Sequence, residues 1–292
     1  MADVLVTGAD GQVGSEIRHL AETGAFGGAF HFTDREILDI TDPDAIEAFL
    51  RKHPIGTIVN CAAYTAVDRA ESQPEQADAV NHLAVAHLAA AARRHGIRLL
   101  HLSTDYVFDG TNHRPYTEED PAAPRSVYGA TKLRGEEAMR QIAPPNSLIV
   151  RTSWVYSGFG ANFVKTMLRL GRERDELGVV ADQIGAPTYA RDLAATILGM
   201  LNVECSMLDE EVGIYHYSNE GVASWYDFAK AIFEIANIDC KVNPIGTEAY
   251  PTPAPRPHYS VLDKRKIKER FGIEIPHWRE SLEGMLSGSF EL

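Results

Sequence analysis

Tyr128 and Lys132 stand four residues apart in Val127-Tyr-Gly-Ala-Thr-Lys, a stretch with helical character. On a helix that spacing puts both side chains on one face. A phenol with its ordinary pKa of ~10 is a poor proton carrier at neutral pH. A neighbouring ammonium favours the phenolate and lowers that value. Twenty-five residues before Tyr128, Ser103-Thr104-Asp105 closes an apolar run. The Thr104 hydroxyl therefore stands at a strand end, where it can donate to a carbonyl oxygen. Hydride reaching a ketone carbon leaves an alkoxide. Tyr128 can protonate that alkoxide as general acid, with Lys132 tuning the phenol and Thr104 steadying the oxygen.

A hydride donor needs a seat, and the N-terminus offers one. Gly8, Gly11 and Gly14 lie between the strand-like run Asp3–Thr7 and a helix beginning at Gln12. Glycines there permit a tight turn and close approach of backbone to a pyrophosphate, while the helix start supplies amides and positive dipole. The spacing Gly-x-x-Gly-x-x-Gly differs from the Gly-x-Gly-x-x-Gly of many dehydrogenases. Twenty residues beyond Gly14, Asp34 can accept hydrogen bonds from an adenosine ribose and would repel a 2′-phosphate. Arg35 follows and would welcome that phosphate, so NADH and NADPH both stay open. Asn60-Cys-Ala62-Ala63-Tyr64-Thr65 ends another strand. Its small residues let a flat cofactor lie across the strand ends.

These residues need a scaffold that alternates strand and helix. Strands are predicted at Asp3–Thr7, Ala29–Thr33, Thr57–Asn60, Arg98–Ser103 and Ser147–Arg151. Between them fall helices from Gln12, from Thr41-Asp42-Pro43, over 74–95 and over 126–141. The alternation implies an α/β Rossmann fold, a doubly wound parallel sheet covered on both faces. The second half alternates less cleanly, with helices over Asn162–Arg174, 191–201 and 224–236 and a short strand at Gly178–Ala181. Ser224 and Asp227 look like a capping box. Prolines 251, 253, 255 and 257 make an extended strap. Residues 1–155 are expected to bind the cofactor. Residues 156–292 are expected to form a smaller α+β substrate-binding lobe, with about 176–203 packing back on the first.

Composition narrows the function. Lys plus Arg number 28 against 41 Asp plus Glu, a formal charge of −13. That argues against nucleic-acid or membrane-surface partners, which require a basic patch. Cys61, Cys205 and Cys240 are odd in number and far apart, so neither a disulfide framework nor a zinc site is suggested. The Met-Ala-Asp start leads directly into the glycine motif, leaving no room for a signal peptide. The alanine-rich stretch 84–92 contains His87 and is followed by Arg93-Arg94, so it is no membrane span. A cytoplasmic protein is expected.

With these pieces in place the chain resembles an extended short-chain dehydrogenase/reductase. It most closely resembles the family of dTDP-4-dehydrorhamnose reductases, which catalyse the last step of dTDP-L-rhamnose synthesis. The resemblance spans nearly the whole chain. It is carried by segments 6–14, 60–68, 103–110, 127–132, 151–156 (Arg-Thr-Ser-Trp-Val-Tyr), 182–188 (Asp-Gln-Ile-Gly-Ala-Pro-Thr) and 256–262 (Arg-Pro-His-Tyr-Ser-Val-Leu).

The resemblance implies roles. Tyr128 is the proton donor, Lys132 its tuner, and Thr104, Asp105 and Tyr106 lie at the carbonyl and sugar. Gly8, Asp10, Gly11, Gln12 and Val13 lie under the pyrophosphate of NADPH or NADH, and Asp39, Ile40, Ala63, Tyr64 and Thr65 line the cofactor. Trp154 packs on the deoxysugar, and Gln183, Thr188 and Arg256 serve the dTDP-sugar; an arginine suits its diphosphate. Some members dimerise through Mg2+ held by acidic residues. Arg191 stands here where a carboxylate ligand is expected, so the sequence gives Mg2+ no support, and monomer and homodimer both stay open.

Other chemistries share this fold. A 4,6-dehydratase uses Thr-Asp-Glu where this chain has Thr104-Asp105-Tyr106, so the second carboxylate for elimination is missing. Another nucleotide-sugar 4-ketoreductase or an epimerase would use the same Tyr and Lys. A regulatory subunit of methionine adenosyltransferase resembles these reductases and binds NADP without an established reductase role. This chain has no obvious partner-binding extension.

Overall fold

A computed structural model describes residues 3–23, 28–202 and 212–288; Cys205 lies outside them. In the first half, β1 (Asp3–Thr7) leads into α1 (Gln12–Glu22), then β2 (Phe30–Thr33), α2 (Pro43–Lys52) and β3 (Ile55–Asn60). Next come α3 (Val67–Ala70), α4 (Pro74–Asp78), α5 (Ala84–His95), β4 (Arg98–Thr104), α6 (Val127–Ile142) and β5 (Leu148–Thr152). Helix starts follow their chemistry. Asp42 accepts from the amides of Asp44 and Ala45 ahead of Pro43, and Ser126 accepts from the Gly129 amide at the start of α6.

The spacing predicts one helix over 74–95, but a π turn at Ala79–Leu83 separates α4 from α5. The wider turn aims Asn81 at the loop after β3. Its Oδ1 accepts from the Tyr64 amide at 2.8 Å, and its Nδ2 donates to the Tyr64 carbonyl at 3.1 Å. Apolar periodicity cannot register such a bulge, because the helix resumes the same buried face.

The second half contains β6 (Val155–Tyr156), α7 (Phe163–Glu173), β7 (Glu176–Val180), β8 (Ile184–Gly185), β9 (Thr188–Tyr189) and α8 (Ala190–Leu201). Then follow β10 (Gly213–His216), β11 (Ala223–Ser224), α9 (Trp225–Ile235), β12 (Lys241–Ile245), α10 (Arg265–Phe271) and α11 (Trp278–Ser287). The capping box of Ser224 and Asp227 is present on α9. The proline strap over 251–257 carries neither helix nor strand.

The main sheet has six parallel strands in the order β10-β5-β4-β3-β1-β2. The order reverses between β1 and β3, and such a switch point opens a crevice at the carboxyl ends of the strands. One face is covered by α1 and α8, where Val13 and Ile17 meet Leu193 and Ile197. The other is covered by α2 and α5, through Ile46, Leu50, Leu88 and Ala92. The edge strand β10 arrives from the second half of the chain, which also builds its own core around Phe228, Ile232 and Trp278.

Arg191 opens α8 against α1. Its Nε donates to the fully buried Glu16 at 3.2 Å, and the other oxygen of Glu16 accepts from Ser157 at 2.6 Å. The arginine noted in place of a metal-binding carboxylate thus neutralises a buried carboxylate of its own chain. Among the described residues, no group of His, Cys, Asp or Glu is placed to hold a metal ion, and no helix is long and apolar enough to cross a membrane.

Candidate active site

A cleft of about 880 Å3 lies along the carboxyl ends of β1–β4. Gly8, Asp10, Gly11, Gln12, Val13 and Gly14 form one wall, and Asp34, Arg35, Asp39 and Ile40 the far end. Ala62, Ala63, Tyr64 and Thr65 line its middle, and Tyr128 and Lys132 close it. Leu38, Thr41, Gln76, Ala79, Val80, Ser103, Thr152, Gly160 and Ala161 also line it. Most of these carry no polar group of unusual spacing, so the sequence gives no signal for them.

The glycine loop is tight for a backbone reason. Gly8 has φ +64°, and a Cβ there would lie 2.6 Å from Cα and N of Ala62. A Cβ on Gly14 would lie 2.6 Å from the Gly8 carbonyl oxygen. The first turn of α1 has no side-chain cap, so its amides suit an anion. These features fit a dinucleotide pyrophosphate. Asp34, expected at a ribose, accepts from the amides of Ile37 and Glu36 at 2.9 Å each, and the Ile37 bond foremost holds it below the usual carboxylate range. Arg35 is 87 % exposed and pairs loosely with Asp39 at 3.4 Å.

Tyr128 and Lys132 share the buried face of α6. Lys132 Nζ donates to the Leu102 carbonyl at 2.6 Å and lies 3.2 Å from His101 Nε2. Burial pushes its pKa down to about 8, against the pull of Glu136 and Cys61. Tyr128 departs from the reading that a nearby ammonium lowers its pKa. Burial pushes the phenol up to about 12, a hydrogen bond with Thr104 opposes that rise, and the Asp105 charge adds to it. Desolvation of the phenolate outweighs charge attraction here.

Beside Tyr128, Thr104 donates to Asp105 Oδ1 at 3.0 Å and accepts from the Tyr106 amide at 3.2 Å. The Tyr106 ring meets that of Tyr128 edge to face at 5.5 Å. Asp105 is buried, its Oδ2 has no hydrogen-bond partner among the described residues, and burial raises its pKa to about 6.

The remaining candidates lie outside the cleft lining. Trp154 has φ +47° and stacks on Trp225 at 3.5 Å, with Gly185 against its edge. Arg256 makes a two-pronged ion pair with Asp68 on α3, with Nη2 to Oδ2 at 2.7 Å, tying the strap to the loop after β3. Gln183 donates to Thr247 at 3.1 Å, and Thr188 is fully buried on β9 without a partner for its hydroxyl. Sequence reasoning missed Asp68, which lies in the segment 60–68 but gains meaning only from Arg256, 188 residues away.

Three comparisons bear on this site. The family model described as RmlD substrate binding domain matches residues 1–289. The chain is 44 % identical to a dTDP-4-dehydrorhamnose reductase of Aggregatibacter actinomycetemcomitans, over 98 % of each chain. A crystal structure of a Clostridium acetobutylicum dTDP-4-dehydrorhamnose reductase superposes with TM-score 0.90 at 42 % identity, covering 97 % of this chain and 98 % of that one. A Bacillus anthracis dTDP-4-dehydrorhamnose reductase solved in complex with NADP gives TM-score 0.90 at 37 % identity, with the same coverage.

Proposed function

This chain belongs to the dTDP-4-dehydrorhamnose reductase family, and we propose that it reduces the C4 ketone of dTDP-4-dehydro-6-deoxy-L-mannose to dTDP-L-rhamnose with NADPH or NADH. The observation that carries this reading is the cleft itself. A glycine-rich helix start lies along one wall, and a buried Tyr128 hydroxyl bonded to Thr104 closes it.

When bound, the nicotinamide supplies the hydride. The chain's own residues supply the rest. The glycine loop and the α1 amides hold the pyrophosphate, while Asp39, Ile40 and residues 62–65 flank the nucleoside portions. Tyr128 keeps its proton at neutral pH because burial holds its pKa at about 12. An alkoxide is a far stronger base, so the phenol can still protonate it. Thr104 steadies the same oxygen, and Lys132 bonds the nicotinamide ribose. Asp105 and Tyr106 meet the sugar, and Trp154, Gln183, Thr188 and Arg256 belong to the nucleotide-sugar side, in the lobe formed mainly by residues 156–292. The acidic composition and the scattered cysteines suit a cytoplasmic enzyme acting as a monomer or a homodimer.

The test is cofactor oxidation, followed by nicotinamide absorbance, with the 4-keto sugar nucleotide and analysis of the product. Stoichiometric oxidation giving dTDP-L-rhamnose is expected. Cofactor binding without oxidation would overturn the proposal.

A further inference from the structure

Behind the cleft a row of four side chains crosses the sheet. Thr7 on β1 donates to Oδ1 of Asn60 on β3 at 2.7 Å. Asn60 Nδ2 lies 3.0 Å from Nδ1 of His101 on β4, whose Nε2 lies 3.2 Å from Lys132 Nζ. None of the four is more than 1 % exposed. A polar row buried this deeply is costly unless each donor meets an acceptor.

The hydrogens on this row follow from one end. The Ala62 amide points at Asn60 Oδ1 at 3.2 Å, and a backbone N–H only donates. That atom is therefore the carbonyl oxygen, and the amide nitrogen of Asn60 donates to His101 Nδ1. Burial foremost, with the Lys132 charge, holds the His101 pKa well below its usual value, so the ring is neutral and carries one N–H. With Nδ1 accepting, that hydrogen sits on Nε2 and faces Lys132. An ammonium has three donors and no acceptor, so it would meet this N–H donor to donor. An uncharged amine offers a lone pair to it and still donates to Leu102.

We propose that Asn60 and His101 are positioning residues for Lys132: they fix the imidazole tautomer that presents an N–H to Nζ, and so favour the amine over the ammonium. The proposal deepens the reading of Lys132 given above and rests on it only where kinetics are used. Other groups face this nitrogen. Tyr128 and Glu136 lie on its own helix and the Cys61 thiol just beyond β3, and both Glu136 and Cys61 favour the charged form. Arg151 on β5 engages Glu136 at 2.6 and 3.0 Å, and Ser103 on β4 donates to the same carboxylate, which blunts its pull.

Ring-nitrogen NMR of protein carrying isotope-labelled histidine reads the tautomer without any turnover. His101 is assigned by the signals lost in His101→Gln or, should that variant fold poorly, in His101→Leu. At neutral pH Nδ1 is expected bare and Nε2 protonated; the opposite tautomer or a charged ring would overturn the proposal. Asn60→Asp replaces the donating amide with an acceptor. His101 should then carry its hydrogen on Nδ1, and the basic limb of kcat/KM should move up by about one pH unit. An unmoved limb beside a reversed tautomer would refute the link to Lys132. Absence of reductase activity with the expected tautomer would instead count against the functional reading alone.

Discussion

At the glycine-loop end of the cleft, residues 8–14 meet an anion with backbone amides, and the side chains mostly stay out of the way. At the other end, Thr104, Asp105, Tyr106 and Tyr128 come from two segments, and Arg256 and Asp68 reach the same neighbourhood from the far ends of the chain. The first end is built by chain geometry and the second by side-chain chemistry in low dielectric. The first should therefore fail through sterics and the second through charge and proton position.

Tyr128→Phe gives the largest effect on the second end. It should cut turnover about 10²-fold or more while cofactor affinity stays nearly constant, since only the transferable proton is lost. Single-turnover kinetics and cofactor titration separate the two quantities. Comparable losses in both would blur the contrast between the ends. Gly8→Ala attacks the first end. Its Cβ would press on the Ala62 backbone at a left-handed φ, so about 3 kcal/mol of stability should go. Cofactor affinity should fall roughly tenfold or more. A variant that melts and binds like the parent would contradict the close approach.

Asp105→Asn tests the charge side by pH. The folded pKa of about 6 lies above the ordinary 3.8, so between about pH 4 and pH 6 the folded chain holds a proton that the unfolded chain has released. Stability therefore falls as pH rises through that window and stays lower above it. The variant lacks this loss, so its advantage over the parent should open across the window and approach about 3 kcal/mol at neutral pH. An advantage independent of pH in denaturant titrations would remove the buried-charge account. The smallest effect belongs to Arg35→Ala. An 87 % exposed side chain should change stability by no more than about 0.5 kcal/mol, and the NADPH-to-NADH preference should fall only a few-fold.

The same contrast explains what the sequence discloses. Gly8, Gly11, Gly14 and residues 62–65 are legible because strand, turn and helix follow each other in the chain. Tyr128, Lys132 and Thr104 are legible as types at familiar spacing. The direction of the Tyr128 pKa is not, because a sequence displays the neighbouring lysine but not the depth of burial. Nor does it display the partners that decide Trp154 and Arg256, which are Trp225 and Asp68. His101 passes for a lone polar residue in an apolar strand until β1, β3 and α6 come together around it. Strand β10 escapes notice because four residues carry too little pattern, and its place at the sheet edge depends on β5.

That edge strand has a consequence for synthesis. The parallel sheet is finished by residues 213–216, and the face of α1 that bears Val13 and Ile17 is sheltered by a helix that begins at residue 190. A growing polypeptide that has left the ribosome only as far as β5 still exposes one open sheet border and the buried carboxylate Glu16, whose Arg191 has not yet been made. The nucleotide-binding half therefore cannot complete itself first and wait for the rest. Such late, long-range closure slows folding and exposes sticky intermediates. The reductase should consequently depend on chaperone protection of its nascent chain until more than two-thirds of it has been translated.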